Sequence, residues 1–270
     1  MEKISNLLRK FDLLQNKGFS KKLGQNFILD KNILDKIVKL AGPIEGEHVL
    51  EIGSGVGSLS ERILLQKPKT FTIIEKDPRC VEAVKSWLDV DIREADVLSV
   101  DLPSVILNVA KDLLTLSQDD GARIKVIANL PYNISTAILI KFCYIRHLIK
   151  DMTLMFQKEV AQRIVAKPST KDFGKLSIIA QTCFDCKIAQ VFPPSIFIPP
   201  PKVDSAVVVF TPKKNVTADL DKLSELTNLL FSRRRKVLRQ SLSPELLKSC
   251  GIDPQSRVEN LMVEDFLKLI

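Results

Sequence analysis

Apolar residues fall along this chain in two spacings. Short runs nearly continuous in valine, isoleucine and leucine occupy positions 48–52, 71–74, 124–128 and 152–156, with a weaker run near Asp91. Between them the spacing becomes helical, over 58–66, 135–146 and 158–166, and Asp30 is placed to cap an earlier helix striped by Ile33, Leu34, Ile37, Leu40 and Ala41. Unbroken β-rich runs alternating with helices predict a doubly wound, mostly parallel sheet covered on both faces. The pattern changes after Cys183. Runs at 183–191 and 205–211 flank a proline-rich loop with no helix between them, which predicts an antiparallel pair at the sheet edge. Beyond residue 213 the chain reads as helical throughout: 219–231, 234–242, a Ser243-Pro244 start signal and a last helix through Phe266. The expectation is therefore a Rossmann-like α/β domain over 1–212 and a small all-α domain over 213–270, with a long, partly helical connection at 104–123.

Composition narrows the partners. A formal net charge of +8 over 270 residues favours a polyanion, nucleic acid first and an anionic membrane surface second. Five cysteines are an odd number in a chain large enough to build a core, so no disulfide framework is expected. The lone Cys183-x-x-Cys186 lacks a second pair and reads as buried thiols in a strand. The first 25 residues lack a continuous apolar stretch, and no run reaches membrane-spanning length. A soluble cytoplasmic protein, monomeric by default, is expected. His48 and His147 are far apart in the sequence, and no metal-ligand pattern stands out.

The first candidate chemistry is the run Glu51-Ile52-Gly53-Ser54-Gly55-Val56-Gly57, between a strand and a helix. Glycines there permit a tight turn and close approach of a ligand to the backbone, and the following helix start offers free amides. The dinucleotide fingerprint wants a third glycine where Ser58 stands, which disfavours nicotinamide and suits a ligand with a ribose and a carboxylate but no pyrophosphate. Glu75 ends the next strand about 20 residues further on, where an acidic side chain meets ribose hydroxyls in doubly wound folds. Asp96 follows the next strand-like run and is placed to accept a hydrogen bond from an adenine amine.

Asn129-Leu130-Pro131-Tyr132 lies directly after a strand, at the carboxyl end where ligands bind in open α/β sheets. An adenine amine is a poor nucleophile because its lone pair is delocalised into the ring. Two acceptors, the Asn129 side-chain oxygen and the Leu130 carbonyl, would hold both amine hydrogens and turn that lone pair toward a methyl donor. Pro131 would stiffen the turn, and Tyr132 would stack on an extruded base. Such catalysis is mostly positioning and electrostatics.

Taken together, the motifs resemble the small-subunit ribosomal RNA adenine dimethyltransferases. The residues that carry the resemblance run from Leu23-Gly24-Gln25-Asn26-Phe27 to Gly251-Ile252-Asp253-Pro254 and include the glycine loop, Ile74-Glu75-Lys76-Asp77, Asn129-Leu-Pro-Tyr-Asn-Ile-Ser135, Gln157-Lys-Glu-Val160, Phe197-Ile-Pro-Pro-Pro-Lys-Val203 and Phe231-Ser-Arg-Arg-Arg-Lys236. The resemblance implies S-adenosylmethionine as cofactor, with Asn26 and Ile28 at its methionine end, Gly53 in the same pocket, Glu75 on the ribose, Asp96 on the adenine and Asn129 facing both cofactor and target amine. It implies that Phe197 stacks on the target base opposite Tyr132. It also implies a substrate, two adjacent adenosines in the 3′-terminal hairpin loop of small-subunit rRNA, each methylated twice during assembly of the subunit. Ser54, Ile28 and Val237 depart from the usual Pro, Leu and Thr.

Arg233, Arg234, Arg235, Lys236 and Arg239 lie within seven residues and, beside a target-base site, read as a phosphate-binding surface, with Lys17, Lys21 and Lys22 adding to it. Two alternatives stand beside this reading. One is a related enzyme that methylates a large-subunit adenosine, against which Leu130 and the Gly251-Ile-Asp-Pro254 tail speak. The other is a non-catalytic ribosome-assembly factor on the same fold, from which loss of Asn129, Pro131, Tyr132 or Glu75 would be expected.

Overall fold

The apolar runs form the sheet that their spacing predicts. The structure is a computed structural model that describes residues 2–11, 13, 25–109, 123–214 and 216–270. In chain order its first half comprises α1 (Glu2–Lys10), β1 (Phe27–Ile28), α2 (Lys31–Leu40), β2 (His48–Ile52), α3 (Ser58–Leu64), β3 (Thr70–Glu75), α4 (Pro78–Lys85), β4 (Asp91–Glu94), α5 (Leu102–Val109) and β5 (Ile124–Asn129). The second half comprises α6 (Ser135–Tyr144), β6 (Ile149–Gln157), α7 (Lys158–Ile164), α8 (Lys175–Cys183), β7 (Phe184–Phe192), β8 (Phe197–Ile198), β9 (Ser205–Pro212), α9 (Leu220–Ser232), α10 (Pro244–Ser249) and α11 (Val263–Lys268). As expected, Asp30 caps α2, its carboxylate accepting from the Asn32 amide at 2.8 Å.

The main sheet runs β4-β3-β2-β5-β6-β9-β7, parallel from β4 to β6. β9 is antiparallel to both β6 and β7, so the expected antiparallel pair forms and its later strand lies inside, leaving β7 at the edge. The chain travels outward from β2 through β3 to β4, then returns to the other side of β2 as β5. Strand order reverses between β2 and β5, and a crevice opens there beyond the strand ends. The loops that leave β2 and β5 are the glycine loop and the Asn129 turn, so the topology alone brings them together.

Three features depart from the sequence reading. A second, two-stranded sheet pairs Phe27 with Ile198 and Ile28 with Phe197, tying the segment before α2 to the proline-rich loop. Cys183 closes α8 rather than opening a strand, and only Cys186 lies on β7. The expected helix over 234–242 is a turn followed by one 3-10 turn at Leu238–Gln240. Arg233 leaves helical geometry at φ −119°, its guanidinium donates to the Gln240 carbonyl at 3.1 Å, and β-branched Val237 is extended and bridges to Arg257. Of the 104–123 connection, α5 covers the start, while 110–122 lie outside the described residues.

The helices after residue 213 share a core with the rest. Leu223, Leu230 and Phe266 are buried in the same apolar cluster as Phe156, Phe173, Ile178 and Phe210. Phe231 stacks on Phe266 at 6.4 Å between ring centroids and meets Phe173 edge-on at 6.5 Å. β9 ends at Pro212 and α9 begins at Leu220. Among the described residues no helix is long and apolar enough to cross a membrane.

Two glycines of the loop after β2 are required by geometry. Gly53, at φ +73°, would carry a Cβ 3.6 Å from Pro131, so the two crevice loops run within a side chain's breadth of each other. Gly55, at φ +54°, would place a Cβ 2.6 Å and 2.7 Å from ring carbons of buried Phe27. Gly42 has a similar φ of +68° with nothing within 4 Å. Gly42→Ala therefore costs only the left-handed strain, about 1–2 kcal/mol, while Gly55→Ala must also displace the Phe27 ring. Urea denaturation is expected to show a clearly larger loss for Gly55→Ala; equal losses would contradict the close approach.

Candidate functional site

The crevice collects the candidate residues around one cleft. Asn26, Ile28, Gly53, Glu75, Asp96, Asn129, Leu130, Pro131 and Tyr132, singled out from the sequence, all line it. Those from Gly53 to Tyr132 lie at the carboxyl ends of main-sheet strands or in the loops that follow them, while Asn26 and Ile28 are brought in by the β1–β8 pair.

Glu75 ends β3 with its carboxylate buried and held by three backbone N–H groups. Oε2 accepts from Gly55 at 3.0 Å, and Oε1 accepts from Lys76 at 2.8 Å and Asp77 at 2.9 Å. Burial pushes its pKa up against those bonds. The same contacts clamp the glycine loop to β3. Asp77 is pulled two ways: burial works to raise its pKa, but hydrogen bonds from Arg79 and Gln25 prevail and hold it below the usual carboxylate range. Asp96 sits in the turn after β4. Its Oδ2 accepts from Lys76 Nζ at 2.7 Å and its Oδ1 from the Leu98 amide at 3.0 Å, which together lower its pKa.

Asn129 is the last residue of β5, and its side-chain Nδ2 donates to the backbone carbonyl of Asn26 at 3.0 Å. With the NH2 end engaged there, the other end of the planar amide, Oδ1, is left as an acceptor. The turn that follows closes on itself: the Ile134 amide donates to the Pro131 carbonyl at 3.2 Å, and Ser135 Oγ donates to the Tyr132 carbonyl at 3.1 Å. The Tyr132 hydroxyl lies 2.5 Å from Ser205 Oγ on β9, which fixes the ring while burial raises the phenol pKa. The Leu130 side chain is buried and anchors the turn in the core.

Residues that sequence reasoning missed complete the cleft. Among the described residues, Gln25 Oε1, Glu51 Oε1 and Ser58 Oγ are buried without a hydrogen-bond partner, and all three residues line it. Orphaned buried polar atoms facing one cleft fit a polar ligand that would satisfy them, such as the amino-acid end of a nucleoside cofactor. Glu51 and Ser58 flank the glycines, which is the signal that could have found them. Lys76 was visible only as part of a motif.

Two assignments need correction. Phe197 does not line the cleft. Its ring is 2 % exposed and packs with Ile28, Leu34 and Val207, because β8 pairs with β1 and alternation turns Phe197 into the core and Ile198 outward. Arg234 is engaged within the chain: Nε pairs with Glu259 Oε2 at 2.8 Å, and the guanidinium also donates to the Lys171 and Thr170 carbonyls. Arg235, Lys236 and Arg239 are exposed, as is Arg233 despite its bond to Gln240. Lys17, Lys21 and Lys22 lie outside the described residues.

A doubly wound parallel sheet with a late strand inserted antiparallel before the edge, a glycine loop, an acidic strand end and an Asn-Leu-Pro-Tyr turn on one cleft define a nucleoside-binding methyltransferase. Residues 16–270 match the family model described as "Ribosomal RNA adenine dimethylase". The chain belongs to the ribosomal RNA adenine dimethylase family and is an S-adenosylmethionine-dependent rRNA methyltransferase. It is 38% identical over 273 residues to the ribosomal RNA small subunit methyltransferase A of Rhizobium etli, covering 96% of this chain and 94% of that one. To the protein of the same name from Bartonella bacilliformis it is 40% identical, covering 93% and 91%. The crystal structure of a dimethyladenosine transferase from Plasmodium falciparum superposes with a TM-score of 0.73 at 26% identity, covering 90% of this chain and 95% of that one.

Glu51 makes the site pH-sensitive. Its carboxyl is pushed up to about 8, mainly by burial and further by nearby Glu75, against a hydrogen bond donated by Ser60 at 2.5 Å. Between the unfolded value of 4.5 and about 8 the folded chain keeps a proton that the unfolded chain has lost, so this group lowers stability as pH rises through that window. Glu51→Gln removes the titration. Relative to the parent, the variant's melting temperature is expected to rise between pH 5 and pH 8; a pH-independent difference would contradict the buried neutral carboxyl.

Proposed function

We propose that this protein transfers methyl groups from S-adenosylmethionine to the exocyclic amines of two adjacent adenosines in the 3′-terminal hairpin loop of small-subunit rRNA, each twice, during subunit assembly in the cytoplasm. The observation that carries the reading is the Asn129–Asn26 hydrogen bond, which leaves Asn129 Oδ1 as an acceptor beside the glycine loop. The choice of the small subunit is supported by full-length similarity to proteins named for it and by Leu130 and the Gly251-Ile-Asp-Pro254 tail.

The division of labour follows from the cleft. Glu75 takes the ribose hydroxyls, Asp96 the cofactor adenine, and Asn26, Ile28 and Gly53 the methionine end, where the orphaned oxygens of Glu51 and Gln25 suit an ammonium group. S-adenosylmethionine supplies an electrophilic methyl group on a sulfonium. Asn129 Oδ1 and the Leu130 carbonyl accept the two hydrogens of the target amine and turn its lone pair away from the ring. Tyr132, anchored through Ser205, stacks on the extruded base. The opposite face of the base is not assigned to Phe197. After transfer the displaced amine proton passes to solvent, and no general base is required. The exposed Arg233, Arg235, Lys236 and Arg239 hold the RNA backbone, and the helical region 213–270 serves as the RNA-holding unit. Arg234 keeps that surface folded.

Two outcomes are expected. Asn129→Ala lowers turnover by roughly 10²–10³ with cofactor affinity changed far less; near-parental turnover, measured by label transfer to undermethylated small subunits, would remove the role. Replacing Arg235, Lys236 and Arg239 together by Ala lowers the salt slope of RNA binding by about 2 and leaves cofactor affinity alone. An unchanged slope would move the RNA surface elsewhere. Modification of large subunits in place of small ones would overturn the substrate assignment.

A further inference from the structure

Lys141 lies on α6, two turns beyond the Asn129–Tyr132 turn, and its ammonium donates to three backbone carbonyls: Val97 and Leu98 at 2.9 Å each, and Val100 at 2.5 Å. All three belong to the turn that follows Asp96. Within itself the turn is closed by the Ser99 and Val100 amides on the Asp96 carbonyl and the Leu98 amide on Asp96 Oδ1, and the Val97 side chain is buried in the core. An ammonium with three hydrogens converging on three carbonyls fixes both position and orientation of the peptide planes. A planar guanidinium cannot place its donors in that way. The helix so tied is the one whose start carries the Tyr132–Ser135 contact, so a single side chain joins the element that presents the target amine to the turn that presents Asp96.

The consequence concerns the cofactor's base. Asp96 lines the cleft in a turn just beyond the end of β4, where the last ladder bond is that of the Ala95 amide to the Glu75 carbonyl at 2.9 Å. Lys76, itself a cleft residue, pairs with the carboxylate at 2.7 Å, whereas Lys141 is bonded to the backbone of the turn that carries it. We propose that Lys141 is a positioning residue for cofactor recognition: by holding the Asp96 turn from behind, it sets the acceptor that selects the 6-amino group of the adenine. This rests on the assignment of Asp96 to the adenine, and the test separates the two.

Calorimetry on the full chain with S-adenosylhomocysteine, and with its analogue lacking the 6-amino group, reads the selection as a ratio of dissociation constants. A charged acceptor facing an amine predicts a preference of roughly tenfold or more in the parent. Lys141→Met is expected to reduce that preference to about threefold or less while affinity for the analogue changes little, a pattern that general loosening would not give because it weakens both ligands alike. Asp96→Ala is expected to abolish the preference. Retained preference in Lys141→Met with loss in Asp96→Ala overturns the role of Lys141 and leaves Asp96 in place. Retained preference in Asp96→Ala removes both. Should Lys141→Met fail to melt cooperatively, Lys141→Gln, which keeps two donors without the charge, is measured in its place with the same expectation.

Discussion

One hydrogen bond across 103 residues sets what this cleft can do: the Asn129 amide nitrogen donating to the Asn26 carbonyl at 3.0 Å. A side-chain amide has a donating and an accepting end, and rotation by half a turn exchanges them. With the donor end engaged, Oδ1 is left as an acceptor in the cleft, which under the proposed function receives the target amine. Reversed, the same residue would confront that amine with N–H groups and repel it. The orientation depends on Asn26 being where it is. That in turn depends on the two-residue pairing of β1 with β8 and on Phe27 packing over the bare backbone of Gly55.

The rest of the cleft is a consequence of strand order. Reversal between β2 and β5 juxtaposes the glycine loop and the Asn129 turn, and a side chain added at Gly53 would already touch Pro131. Glu75 then serves two purposes, because the N–H groups that hold its carboxylate also pin the glycine loop to β3. Burying Glu51 and Glu75 side by side is costly in itself. It leaves Glu51 Oε1 without a partner in the cleft, while both Glu75 oxygens are satisfied by backbone N–H groups.

Much of this was legible from the residues. The apolar runs gave the parallel strands because a buried parallel sheet writes itself as continuous Val, Ile and Leu, and the glycines and Glu75 were readable from their places at strand ends. The β1–β8 pair was not, since two residues carry no periodicity. Phe197 was assigned to the base by resemblance, whereas alternation along that short strand turns its ring into the core. Arg234 shows why a basic run is ambiguous: spacing cannot distinguish an arginine facing phosphate from one bonded to the chain's own carbonyls. Lys141 was invisible for the same reason, its partners being backbone carbonyls 41 to 44 residues earlier. The end of α9 was readable to within a residue, but the helix expected over 234–242 does not form, because the Arg233 bond to the Gln240 carbonyl and the Val237–Arg257 bridge hold that segment in contacts that spacing does not reveal.

The most direct measurement is a crystal structure with S-adenosylhomocysteine and a short adenosine-bearing RNA hairpin. The account predicts the target amine within about 3.2 Å of Asn129 Oδ1, the Asn129 Nδ2 still on the Asn26 carbonyl, and the cofactor adenine against Asp96. A target amine lodged away from the Asn129 turn, or an Asn129 amide rotated to face it with nitrogen, would contradict the account.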